Sequence, residues 1–320
     1  VDMATPATPA MDTAPIGYGR LLDSLDHKCM AINVDGAGMV RVISAGYWDD
    51  SVKLHSLESL REIDSVSAHT GKVTCVLADG SVVVTGGVDG VVRVWRTGEA
   101  PHAAMFEVVT DRLGMKQDRK DEGDHDNYHQ LSCTHSLVGL VAPVTAINYN
   151  NELDVVVSGC GTGRVCIHTV STGKLMNTIT DLEDGNPIDV ICTAGHGYVA
   201  VHTAVSSAVN LFWVNGQRLA RAQAHARITC MAVNRQPSSL FVCGHDDGTI
   251  TFRQTWDLLE VKRVDTLVSH GAIRSIGFSQ DGQVLLLGSQ DGVFSFIADA
   301  RQETQERQKS ARAVSPSMLV

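Results

Sequence analysis

Two histidines four residues apart, His125 and His129, stand among Asp121, Glu122, Asp124 and Asp126, residue types that could hold a divalent metal. The spacing converges only on a helix, and Gly123 with its acidic, polar neighbours favours a solvated loop, so no metal site is assigned. Gly159-Cys160-Gly161-Thr162-Gly163 has the glycine density of a phosphate-cradling loop, which needs a strand before it and a helix after it. Residues 164–169 alternate as a strand does, which excludes that chemistry, and Gly17-Tyr18-Gly19-Arg20 is weaker still. His69, His225 and His270 could serve acid–base catalysis, but each precedes an apolar strand at a regular place, which suits a structural hydrogen bond better. A hydrolytic triad needs nucleophile, base and orienting acid in one pocket, and no such set is singled out. Cys75 and Cys230 fall in strand segments and read as buried thiols. No catalytic residue, metal or cofactor is therefore expected.

The elements that position these residues come from a repeat. Asp89-Gly90-Val91-Val92-Arg93-Val94-Trp95 is a tight turn followed by an alternating strand ending in Trp, with Thr85 on the strand before it and His69 further upstream. Weaker copies turn at Asp49, Thr162, Ser207, Asp247 and Asp291. Most steps are the length of one four-stranded repeat unit, and that from Asp89 to Thr162 is roughly thirty residues longer, an insertion over residues 98–130. The units resemble WD repeats, which implies that His69, Thr85, Asp89 and Trp95 form a hydrogen-bonded structural tetrad. In the other copies the Thr85 place reads Ala45, Ser158, Thr203, Cys243 and Leu287, and the Trp95 place reads His55, His168, Trp213, Arg253 and Ile297.

The alternation predicts inner strands over residues 72–78, 228–234 and 273–279, middle strands over 81–86, 240–244 and 283–288, and third strands over 91–96, 249–254 and 293–298. Outer strands are expected over 61–68, 174–180, 217–224 and 258–267. No stretch shows sustained helical periodicity. The expectation is an all-β WD40 propeller with six recognisable repeats and six or seven blades. Residues 1–15 read as a flexible linker, 16–300 as the propeller and 301–320 as a polar tail, with residues 16–25 available to pair with 293–298.

Composition narrows the function. A net charge of −10 opposes binding to a phosphate backbone, so no nucleic-acid partner is expected. No apolar run is long enough to span a bilayer. Eight cysteines without metal-type spacing read as small buried hydrophobes in a reducing compartment. Trp48 occupies a turn position held by Val88 or Asp246 in other copies, so the fold does not demand an aromatic there. Beside Tyr47 it is either a partner-binding hot spot or packing against the next blade.

Gly46-Tyr47-Trp48-Asp49-Asp50-Ser51, followed by Val52-Lys53-Leu54-His55-Ser56, resembles the first repeat of the propeller that ends BEACH-domain proteins of the neurobeachin type. Leu21-Leu22-Asp23, Val165-Cys166-Ile167-His168, residues 214–219 and Gly271-Ala272-Ile273-Arg274-Ser275 follow that family in the same order. The resemblance covers roughly residues 16 to 298 and implies a non-catalytic scaffold in vesicle trafficking or membrane remodelling. It implies other proteins as partners, a monomeric propeller, and a cytoplasmic location peripheral on endomembranes through upstream modules or partners. The alternatives are a free-standing WD40 adaptor, as a ubiquitin-ligase substrate receptor or signalling scaffold, and an enzyme built on a propeller.

Overall fold

The computed structural model describes residues 27–34, 38–99, 129–180, 182, 185–205, 207–234, 240–265, 271–279, 282 and 284–298. After a 3-10 turn over His27–Cys29, the chain forms antiparallel sheets in strict sequence order. The first holds β1 (Met30–Val34), β2 (Val40–Ser44), β3 (Ser51–Ser56) and β4 (Glu62–Ser67). The second holds β5 (Val73–Asp79), β6 (Val82–Gly87), β7 (Val92–Glu99) and β8 (His129–Leu137). The third holds β9 (Val144–Asn150), β10 (Val155–Cys160), β11 (Val165–Thr169) and β12 (Leu175–Ile179). The fourth holds β13 (Ile188–Thr193), β14 (Tyr198–Thr203), β15 (Ala208–Trp213) and β16 (Arg218–Gln223). The fifth holds β17 (Ile228–Val233), β18 (Leu240–His245), β19 (Thr249–Gln254) and β20 (Glu260–Asp265). The sixth has three described strands, β21 (Ile273–Phe278), β22 (Val284–Ser289) and β23 (Phe294–Ala298). These six sheets are the blades of an all-β propeller of the WD40 kind.

Blades 2 to 5 are each sandwiched between two others, so their middle strands are buried on both faces and read as nearly unbroken apolar runs. Val82-Val83-Val84 in β6 and Val155-Val156-Val157 in β10 are all buried, whereas β16 alternates half-buried and exposed residues at the rim. The core lies between the sheets. One buried apolar cluster joins each successive pair, from Ile43, Leu54, Val73 and Trp95 between blades 1 and 2 to Val242, Ile250, Ile273 and Leu285 between blades 5 and 6. A fully buried Val or Leu supplies about 1.5–3 kcal/mol, and these interfaces carry most of the stability. No such cluster joins blade 6 to blade 1 among the described residues, and Ile32, Val34, Phe294 and Phe296 there are exposed.

Close approach of the blades dictates two residue types. A Cβ at Gly86 would come within 2.6 Å of Val144, one at Gly159 within 2.6 Å of Ile188, and one at Gly244 within 2.7 Å of Ile273, each on the next inner strand. Only glycine fits where the β-branched side chain of the next inner strand packs directly on the backbone. Beside these glycines the inner strand bulges at a threonine, and in blades 2 and 5 that threonine ties two blades. Thr74 Oγ1 lies 2.9 Å from the Gly86 carbonyl and 2.6 Å from that of Val144. Thr229 reaches the carbonyls of Gly244 and Ile273 in the same way. Val73-Thr74-Cys75 and Ile228-Thr229-Cys230 carried this signal, which the repeat pattern alone did not expose.

Two of the repeat equivalences need correction. In blade 2 Thr85 pairs with Arg93, two residues before Trp95. In blade 4 the corresponding pair is Val201 with Asn210, so the Thr85 and Trp95 places fall on Val201 and Phe212, not Thr203 and Trp213. In blade 1 Ser44 pairs with Lys53, so Ser44 and not Ala45 holds the Thr85 place. Both hairpins are one residue longer than that of blade 2, and a fixed offset from the turn then slips the register. The strand expected over 258–267 starts at Glu260, because Leu258 takes a left-handed backbone (φ 61) and is buried in the turn ahead of β20. At the insertion β7 and β8 run on, pairing Gly98 with Gln130 and Glu99 with His129. Residues 1–26, 100–128 and 299–320 lie outside the described residues. With them go the proposed linker, the tail, the pairing of 16–25 with 293–298, and all of the acidic histidine cluster except His129.

Candidate interaction surface

The candidate surface is built on the tight turns that join each middle strand to the third strand. In blade 2 the turn is held by the four residues singled out from sequence. Trp95 Nε1–H donates to Thr85 Oγ1 at 3.0 Å, His69 Nε2 lies 2.8 Å from the same hydroxyl, and His69 Nδ1 lies 3.0 Å from Asp89 Oδ1. His69, Thr85 and Trp95 are all buried. Burial pushes His69 below its ordinary pKa despite Asp89 beside it, so the ring is neutral. Burial alone would raise Asp89, but the Val91 amide, His69 and Arg93 outweigh it and hold the carboxyl at about 2. Arg93 Nη1, which can only donate, lies 2.7 Å from the same His69 Nδ1 and 3.2 Å from Asp89 Oδ2, so that ring nitrogen is shared between a carboxylate and a guanidinium. The set thus locks the loop before β5 onto the turn after β6, and these loops share one end of the ring.

Blade 1 reaches the same end by other means. The Ser44 and Tyr47 hydroxyls share a 2.7 Å hydrogen bond, and Ser44 Oγ lies 3.2 Å from His55 Nε2. Tyr47 therefore makes the hydroxyl contact that His69 makes in blade 2, half-buried, with Lys53 Nζ 5.2 Å from its ring centroid. Its neighbour Trp48 is 94% exposed and packs on no adjacent blade. In blade 5 His225 lies 3.1 Å from Asp247 Oδ2 and 2.7 Å from Thr249, while His245 bonds Thr251 at 2.9 Å. His270 lies outside the described residues.

Inside this end the inner strands converge on a group that sequence reasoning missed. Lys28 Nζ reaches across the ring to the carbonyls of Thr145 (3.1 Å) and Asp189 (2.8 Å) and to Asp189 Oδ1 (3.3 Å). Arg227 lies 2.7 Å from Asp189 Oδ2. Burial alone would raise Asp189, but Arg227 and Lys28 hold its carboxyl below the ordinary range. Arg274 bonds the Gln290 side-chain oxygen at 2.7 Å. These partners stand as far as 161 residues apart, so only the packing of blades around a common axis brings them together.

Two further sequence candidates fall among the described residues, the glycine-rich turn and the inner-strand cysteines. Gly159-Cys160-Gly161-Thr162-Gly163 joins antiparallel β10 to β11, with no helix following. Burial pushes the Cys75 thiol up to about 12 and Cys230 to about 11, which suppresses their thiolates. Among the described residues no group of three His, Cys, Asp or Glu side chains is placed to hold a metal. No helix among them is long and apolar enough to cross a membrane.

Known proteins share this architecture. The neurobeachin beta propeller domain profile matches residues 22–312. BEACH domain-containing protein B of Arabidopsis thaliana is 26% identical over 78% of the chain and 9% of its own length. A putative neurobeachin homolog of Caenorhabditis elegans is 24% identical over 91% of the chain and 11% of its own length. The chain therefore spans about a tenth of the length of these two relatives. Among solved structures, a chain of the mitotic checkpoint complex superposes with a TM-score of 0.61 at 13% identity, covering 84% of this chain and 74% of that one. The computationally designed protein Ika8 does so at 0.58 and 18%, covering 84% and 70%. At such identities the likeness speaks for the fold alone, whereas the profile spans most of the chain: the protein belongs to the neurobeachin β-propeller family.

Proposed function

We propose that this propeller is a non-catalytic protein-interaction scaffold of a BEACH-type protein, acting in vesicle trafficking or membrane remodelling. The observation that carries the reading is Trp48, 94% exposed on a turn whose other aromatic, Tyr47, is anchored to Ser44. A large side chain on a rigid turn loses little entropy on docking and buries much apolar area, as a binding hot spot requires. The blades need not move, and the tetrad His69, Thr85, Asp89 and Trp95 serves as a stability clamp, not a reactive site. Partners are other proteins. Any membrane contact is peripheral, through other modules or partners, and the location is cytoplasmic on endomembrane surfaces.

The test is affinity purification of the tagged chain from its native cytosol, beside Trp48→Ala and a form lacking residues 98–130, read by mass spectrometry. Recovery of vesicle-traffic proteins that is lost with Trp48→Ala supports the scaffold and places the contact on the turn end. Loss only on deletion moves the contact to the insertion. Recovery of cullin-type ligase subunits instead would make the chain a free-standing adaptor.

A further inference from the structure

The central mouth on the turn end retains a positive charge, in a chain whose net charge is −10. Lys28 commits its ammonium to Thr145 and Asp189, and Asp189 is also the partner of Arg227. Arg274 finds only the neutral Gln290 amide among the described residues, and lies exposed. Three cations, Lys28, Arg227 and Arg274, thus face two carboxylates, Asp189 and Asp246, around a cavity of about 430 Å³. Below it a cavity of about 220 Å³ continues between the inner strands, with Val76, Ala146, Ile191 and Met231 on its walls. Backbone bonds from Asp246 to Arg227 and from Gln290 to Ala272 put these residues at the same end of their blades as the turn of Trp48.

We propose that this mouth binds an acidic peptide, seating one carboxylate side chain between Arg227 and Arg274 and a neighbouring apolar side chain in the channel below. The excess is a single positive charge. A carboxylate neutralises it, while a phosphate dianion would leave a negative charge uncompensated beside Asp189 and Asp246. Guanidinium forks suit a carboxylate, and Gln290 adds an amide donor. A flat anionic bilayer could not enter a concave mouth within an acidic protein. The proposal rests on the reading of the turn end as the docking face, and names the chemistry of its partner.

The test is fluorescence anisotropy of the full chain with a labelled peptide alternating glutamate and leucine, beside the same peptide with glutamine for glutamate. Saturable binding is expected for the first, and binding weaker by about tenfold or more for the second. Arg274→Ala should weaken the acidic peptide by roughly five- to tenfold and Arg274→Glu should abolish its binding. Arg274 is exposed and outside the core, so both variants should melt with the wild type. If the charge reversal unfolds the chain, Arg274→Ala and Gln290→Ala carry the test. Equal binding of the two peptides, indifference to Arg274, no binding by the wild type, or binding to phosphatidylserine vesicles in place of the peptide would each overturn the proposal. Trp48-dependent partner capture that survives Arg274→Glu would overturn it and leave the scaffold reading standing.

Discussion

Blades 2 and 6 follow one plan and differ in what covers them. Blade 2 is packed on both faces, against Leu54 and Ile43 on one side and Val144 and Val156 on the other. It also carries the full polar set, with Thr85 wholly buried. Blade 6 packs one face on blade 5 through Leu285 and Leu287, while Leu286, Phe294 and Phe296 share its other face and are exposed. Its Thr85 and Trp95 places hold Leu287 and Ile297, so it has no hydrogen-bonded counterpart of that set. A polar clamp thus accompanies a blade whose surroundings leave no water to satisfy it. Among the described residues the half-covered blade 6 relies on apolar packing and on the Thr229 tie to the Ile273 carbonyl.

The largest effect that could break this contrast comes from truncating an aromatic in each blade. Trp95→Ala should cost about 3–5 kcal/mol, since it opens a cavity and strands the Thr85 hydroxyl. Phe296→Ala should change stability by less than about 0.5 kcal/mol, because the side chain is 72% exposed. Urea unfolding midpoints decide between them. Equal losses would mean that blade 6 is covered in solution and that the contrast is wrong.

A second effect separates the blades by pH. Burial holds His202 and His245 down at about 4, against 6.5 for the free side chain, whereas the described residues of blade 6 include no histidine. A folded-state pKa below the unfolded one means that the unfolded chain binds the proton more readily. The native state is therefore fully favoured above pH 6.5 and loses stability as the pH falls toward 4. Each ring should remove about 2 kcal/mol by pH 5. Both ring nitrogens of His202 lack a hydrogen-bond partner among the described residues, so His202→Leu should raise the neutral-pH melting temperature and flatten its fall with acid. A fall in acid as steep in His202→Leu as in the wild type would assign the acid sensitivity elsewhere.

Smaller is the loss from Thr85→Val, which preserves shape but removes the hydroxyl shared by His69 and Trp95. About 1–3 kcal/mol is expected, read by the same urea transitions. The equivalent Ser44→Ala in blade 1 should cost less, because Tyr47 is only half-buried and can turn to water.

The fold was legible because its signals are local. Turns at Asp89 and Asp247 and the valine runs of β6 and β10 set strand order and register without help from distant residues. The reading slipped at Ser44 and Val201, where one extra hairpin residue moves every offset, an event that turn residues do not announce. Trp48 stood out since the turn has no use for an aromatic there, whereas the tie between the Tyr47 and Ser44 hydroxyls left no mark in the sequence. The channel mouth was illegible. Lys28, Asp189, Arg227 and Arg274 belong to four blades, and no spacing along the chain records their meeting.

The smallest expected change in stability is also the one that sharpens the comparison most. Phe294→Ser with Phe296→Ser replaces two phenylalanines that are 77% and 72% exposed, on a face that packs against no other blade among the described residues. Little apolar area is regained as exposed surface, so the unfolding midpoint should stay within about 0.5 kcal/mol of the wild type. Self-association should respond instead, because an apolar sheet face beside an edge strand invites a second sheet. Sedimentation velocity over a concentration series should show the double variant monomeric where the wild type begins to associate. A cooperative loss of stability without any change in association would mean that these rings are buried in the free molecule. Blade 6 would then be as fully sandwiched as blade 2, and the absence of a polar clamp there would need a cause other than exposure.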